Sequence, residues 1–265
     1  MAISLVRQQE AAAQIVGDAL ASMPGPTSEV PEGLSDACKT AQSALTAAET
    51  AAYNALDSAA VMNRVVKLAA GSKVQGAYGD AAQDNLRSAL LFAGAGLDRS
   101  LKRLVERALP ALVKTDDRAN EKFRLWATSA VTHSESGGVD PARLLELLLG
   151  TGLDPQAVLV NNYIKMLTAS SAQSVERVDE IASALGITDR LVRARSNPSS
   201  KNLALRDAFH DRNLIAHELD LTETPAPGTP FARKRRSRTV TQMRAHVEEC
   251  LAVTQSIIAD VSART

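Results

Sequence analysis

The sequence predicts an all-α fold, a multi-helix bundle. Three observations carry that expectation. No segment sustains the two-residue alternation of apolar and polar side chains that marks a strand. Apolar residues make up 45% of the 265-residue chain but aromatics only 3%, so the core is built from Ala, Leu and Val. Such a core suits closely packed helices. Finally, the apolar positions recur at helical spacing between clear start and stop signals.

The elements follow in order. Residues 2 to 23 read as a helix ended by Pro24-Gly25-Pro26. Ser35 caps a second helix reaching about Gly71, with a narrow stripe of Ala41, Ala44, Leu45, Ala48, Ala52, Ala55, Leu56, Ala59 and Val66. Gly71, Gly76 and Gly79 break the chain. A third helix spans 80 to 113, with Leu86, Leu90, Leu97, Leu101, Leu104 and Leu112 on its apolar face. Gly94 and Gly96 are candidate bends, and Pro110 is expected to kink or end it. Another helix can start in the polar stretch 114 to 121 and run through Trp126.

Asp140-Pro141 and Asp154-Pro155 each pair an N-cap acid with a proline at the first helical position. They predict helices over 141 to 149 and 155 to 169. A further one, about 172 to 185, stops at Gly186. A helix from about Ser200 to Leu219 precedes the proline-rich loop Thr222 to Pro230, and the last helix covers about 239 to 262. The glycines at 71 to 79 divide the chain into an N-terminal helical extension, 1 to 79, and a helical domain, 80 to 265.

Lys plus Arg and Asp plus Glu both number 30, so net charge points to no class of partner. The charge is uneven, however. Residues 225 to 247 hold Arg233, Lys234, Arg235, Arg236, Arg238 and Arg244 and no acid. This run either draws phosphates, forms a solvated loop, or pairs with acids elsewhere. Cys38 and Cys250 form no CxxC pair or Cys/His cluster, so buried free thiols are expected and no metal. Asp116-Asp117 are adjacent and do not face each other on a helix, so they are not read as a metal pair. No P-loop, GxGxxG or GxSxG pattern stands in a fitting context, and no cofactor is expected. Arg7, Glu10 and Asp18 interrupt the N-terminus, and no apolar run nears the roughly 20 residues that span a bilayer. No membrane partner and a cytoplasmic location are the expectations.

The segment that suggests a chemistry is Arg212-Asn213-Leu214-Ile215-Ala216-His217. Arginine is a permanent cation that grips phosphate, and histidine exchanges protons near neutral pH. On a helical wheel Leu205, Ala208, Phe209, Ile215, Ala216 and Leu219 share the core face. Arg206, His210, Asn213 and His217 form a polar stripe. Arg212 falls in the apolar arc, about 140° from His217. Either the helix distorts there, or another surface meets that face and receives the guanidinium. Arg-x4-His also recurs by chance in helical proteins, and a histidine near a helix end can serve as a capping cation. His210 reads as a surface residue, and His133 and His246 have no local chemical context.

This segment resembles the Arg-x4-6-His signature of the HEPN superfamily, in which a polar residue, commonly Asn, follows the arginine; Asn213 fills that place. The all-α surroundings agree, with the motif late in the chain before a loop and one final helix. The resemblance covers residues 80 to 265. It implies metal-independent RNA cleavage by a homodimer with a composite site, often within a toxin–antitoxin pair or phage defence. Arg212 and His217 would be catalytic and Asn213 supporting. The basic run would bring RNA to them through Arg233, Lys234, Arg235, Arg236 and Arg238, with Arg206 on the stripe. Partners would be RNA and an antitoxin or regulatory protein. Two other readings stand beside this one: a non-catalytic helical module that binds RNA or protein, and a structural oligomer assembled through the alanine-rich helix.

Overall fold

A computed structural model describes residues 36–70, 78–132, 155–188, 190–193, 204–222 and 235–264. The described residues form eight helices and no strand. They are α1 (Asp36–Ala70), α2 (Asp80–Thr115), α3 (Asp117–Thr132), α4 (Pro155–Ala169), α5 (Val175–Ala184), α6 (Arg190–Arg193), α7 (Ala204–Glu218) and α8 (Val240–Ser262). The all-α expectation therefore holds. The helices expected over 2 to 23 and 141 to 149 lie outside the described residues, as do Arg233, Lys234 and His133. Among the described residues, no helix is long and apolar enough to cross a membrane.

Two compact units emerge. One includes Thr46–Ala95 and Asp207–Cys250; the other includes Gly96–Arg206 and Leu251–Thr265. The first carries the Arg-x4-His segment. Its core uses Ala52, Leu56 and Ala59 of α1, Leu86 and Leu90 of α2, Ala208 and Phe209 of α7, and Met243 and Val247 of α8, all buried. The alanine stripe of α1 works as close-packing surface as far as Ala59. It then fails: Val66 is exposed, as are Met62 and Leu68.

The second unit is organised around leucines. Leu97, Leu101, Leu104, Leu109 and Leu112 of α2 are all buried. Pro110 lies inside α2 rather than ending it. A mid-helix proline costs about 3 kcal/mol. Here Leu109, Leu112 and Val113 on either side are buried, and their packing carries the helix onward. Trp126 of α3 stacks on Tyr163 of α4, their centroids 4.8 Å apart, and Phe123 stacks on Trp126 and meets Tyr163 at a tilt. Burial, with Glu180 nearby, pushes the Tyr163 hydroxyl up to about 12.

The predicted stop at Gly186 is explained by a tight junction. Ser174 caps α5 by accepting from the Arg177 amide, and Gly186 follows the helix at φ +78. Asp116 caps α3: its Oδ1 accepts from the Ala119 amide at 2.9 Å. Arg264 Nη1 donates to Asp116 Oδ2 at 3.0 Å and to the Leu185 carbonyl at 3.2 Å. A Cβ on residue 186 would stand 2.5 Å from Asp116 Oδ1 and 2.9 Å from Arg264 Nη1. Gly186→Ala thus combines a left-handed backbone, costing about 1–2 kcal/mol for an L-residue, with a collision against an ion pair. The expected result is a destabilisation of at least about 1 kcal/mol in urea melts; an unchanged midpoint would contradict this account of the junction.

Candidate functional site

Helix α7 obeys its wheel for three turns and then leaves the core. Leu205, Ala208, Phe209 and Ile215 are buried as expected. Ala216 and Leu219, expected on the same face, are exposed, Leu219 at 61%. The cause lies just beyond the helix. Leu219 and Asp220 both take left-handed backbone, with φ 52 and 58. The Asp220 amide reaches back to the Leu214 carbonyl at 2.9 Å. With this turn the Asp220 carboxylate lies fully inside and Leu219 outside.

Arg212, Asn213 and His217 come together at this end of α7. Arg212 Nη1 donates to Asn213 Oδ1 at 3.1 Å and lies 3.5 Å from His217 Nε2. Asn213 and His217 are exposed, one helical turn apart on one face; Arg212 is half-buried. The expected mismatch of about 140° between Arg212 and His217 is bridged without a break in the helix. Helix α7 runs unbroken through the segment. Instead the long arginine stem crosses over Gly94 of α2. A Cβ on Gly94 would sit 3.6 Å from Arg212 Cγ and 3.8 Å from its Nε. The bare glycine gives the stem a flat bed, and the guanidinium folds round to the polar stripe. Gly94 is a packing site in a continuous helix.

Two buried acids flank the motif. Asp211 accepts at Oδ2 from Gln242 Nε2 at 2.8 Å, from His246 Nε2 at 3.1 Å and from Arg238 Nη1 at 2.6 Å. Asp220 accepts from Arg87 Nε at 2.9 Å and Arg238 Nε at 3.1 Å on Oδ2, and from Arg238 Nη2 at 2.6 Å on Oδ1. Arg87 also donates to Asp84 Oδ1 and to the Arg236 carbonyl. From Arg235 the chain runs alongside the turn: Leu221 and Arg235 form an isolated antiparallel bridge, and the Arg236 amide donates to the Asp220 carbonyl.

These contacts correct the reading of the basic run. Arg238 is buried and both acids are bound to it, so it is not a surface contact for phosphate. The half-buried Arg236 gives its backbone to Arg87 and Asp220. Arg235 is exposed and pairs with Asp84; Arg244 lies near Asp57. Arg206 and Glu176 form an exposed pair at 3.5 Å. Pairing with distant acids, one of the three readings of the run, describes Arg235, Arg238 and Arg244. His246, assigned no context, has one in Asp211. Asp211 could have been flagged in the sequence, because it sits at helical spacing from both Ala208 and Ile215 on the core edge of the wheel. Asp220 carries no such signal.

Cys38 and Cys250 are free and buried, and burial raises the Cys250 thiol to about 12. Among the described residues, no group of three or more His, Cys, Asp or Glu side chains is placed to hold a metal ion. Comparison with family models, curated proteins and solved structures finds no match to this chain.

Burial works to raise the Asp211 carboxyl, but the hydrogen bonds from His246 and Arg238 and the Arg238 charge outweigh it and hold the group at about 2. A carboxyl depressed from its usual 3.8 stabilises the fold fully above that value and loses the effect as pH falls toward about 2. The contribution is about 2 kcal/mol. Urea melts of wild type and Asp211→Asn should therefore differ most above pH 4 and converge toward pH 2. A difference that stays constant across that window would show that Asp211 is not held in this way.

Proposed function

We propose that this chain is a HEPN-type endoribonuclease that cuts RNA without a metal ion. The observation that carries the reading is the approach of Arg212 Nη1 to within 3.5 Å of His217 Nε2 on an accessible helix end. A phosphate oxygen gripped by that guanidinium lies within proton-transfer reach of the imidazole.

The chemistry assigns each group a task. The ribose 2′-hydroxyl attacks the adjacent phosphorus and gives up its proton. The bond from phosphorus to the 5′-oxygen breaks, and that oxygen takes a proton. The products are a 2′,3′-cyclic phosphate and a 5′-hydroxyl. His217 moves a proton at one of these oxygens. Arg212 balances the charge that builds on the phosphoryl oxygens. Asn213 accepts from Arg212 Nη1 and keeps it beside the ring.

A second copy of the chain supplies the other proton-transferring histidine in the homodimer we propose. Ala216 and Leu219, exposed beside His217, offer that copy an apolar surface. RNA reaches the site through exposed arginines. The surface pairs of Arg206 with Glu176 and Arg235 with Asp84 are worth at most about 1 kcal/mol and exchange readily for phosphate. Arg233 and Lys234 extend that run in sequence. The setting we favour is cytoplasmic, within a toxin–antitoxin pair or phage defence, under an antitoxin or regulatory protein.

The test uses purified full-length chain, mixed RNA and excess EDTA. Wild type should degrade the RNA, while Arg212→Ala and His217→Ala should each lose roughly 100-fold or more in rate. Equal cleavage by all three proteins would sink the proposal. RNA binding without cleavage, unaffected by His217→Ala, would point to a non-catalytic binding module.

A further inference from the structure

Arg238 occupies an unusual position relative to the motif. Its side chain is only 5% exposed. Its Nη1 contacts Asp211, the residue directly before Arg212, at 2.6 Å. Its Nη2 and Nε hold both oxygens of Asp220, three residues beyond His217, at 2.6 and 3.1 Å. One planar guanidinium thus spans the two borders of the Arg212–His217 segment.

The arginine is itself fixed. Its amide donates to Gln83 Oε1 at 2.8 Å, and its carbonyl accepts from Gln83 Nε2 at 2.9 Å. Gln83 lies in the first turn of α2, the helix whose Gly94 carries the Arg212 stem. Backbone and side chain of Arg238 are therefore both tied to the framework on which the motif rests.

We infer that Arg238 is a positioning residue: it locks Asp211 and Asp220 so that Arg212 and His217 meet in register. This rests on the reading of the pair as an RNA-cleaving site. Lysine cannot replace it fully, because an ammonium is a point charge without the fork that grips one carboxylate while reaching another. The role is distinct from the phosphate contact that the basic run suggests, and the two have opposite kinetic signatures. A phosphate contact contributes to binding and to its salt dependence. A positioning residue contributes to turnover.

The experiment compares wild type, Arg238→Gln and Arg238→Lys on a single-stranded RNA oligonucleotide in EDTA. Helix content is followed by circular dichroism and the His217 ring by NMR. Arg238→Gln should lower kcat roughly 100-fold, the scale of an ångström-sized misplacement, with KM and the salt slope of binding unchanged. Arg238→Lys should recover part of the loss. The His217 ring signals should shift in both variants while helix content is retained. A raised KM and a salt slope shallower by about one, with kcat kept, would make Arg238 a phosphate contact and overturn the inference. Unchanged kcat and unmoved ring signals would also overturn it. If wild type cleaves no RNA, or His217→Ala cleaves normally, the ribonuclease reading fails and the ring signals alone decide the positioning role. If Arg238→Gln does not fold, Arg238→Lys supplies the same readouts.

Discussion

The site depends on one fully buried carboxylate. Asp220 has no exposed surface and rests between the guanidinium groups of Arg87 and Arg238. An unpaired charge at that depth costs several kcal/mol, and removing one partner of such a group typically costs about 3–5 kcal/mol. The pairing is dense enough to impose its own backbone. To bring Asp220 inward the chain takes two left-handed residues, one of them a leucine, at about 1–2 kcal/mol each. Leu219 is thereby left in solvent and α7 ends at Glu218. The exposed end that carries His217 is a consequence of where Asp220 is buried.

Electrostatics and packing act in series here. Arg238 satisfies Asp220 on one side and Asp211 on the other, and burial of this cation is offset by both carboxylates, which hold its pKa above the ordinary value. The same network holds the chain from Arg235 onward against the turn, through the Leu221–Arg235 bridge. Arg212 reaches Asn213 and His217 by its length. Its stem lies over Gly94 while its head stays with Asn213 and His217. A guanidinium placed in the apolar arc of α7 thus reaches the polar stripe.

The helices were legible in the sequence because their causes are local. The Pro155 start, the Gly186 stop and the leucine periodicity of α2 all act within a few residues. Pro110 does not end α2, because its buried neighbours carry the helix past it. The α7 face was correct through Ile215 and wrong at Ala216 and Leu219, since the burial of Asp220 depends on Arg87, far earlier in the chain. The basic run stayed open among three readings for the same reason: Asp84 and Asp211, which take up Arg235 and Arg238, are distant in sequence. The segment from Arg212 to His217 was visible as a pattern. Its geometry was not, because a wheel treats arginine as a direction rather than a stem long enough to cross a glycine.

The claim that matters most is that these side chains cut RNA through its own 2′-hydroxyl. The ends of the products test it directly. Full-length protein is incubated in EDTA with an RNA oligonucleotide and with a matched oligonucleotide methylated at every 2′-oxygen, and the fragments are weighed by mass spectrometry. The account predicts fragments ending in 2′,3′-cyclic phosphate and beginning in 5′-hydroxyl, with the methylated strand intact. Fragments carrying 5′-phosphate, or cleavage of the methylated strand, would contradict it.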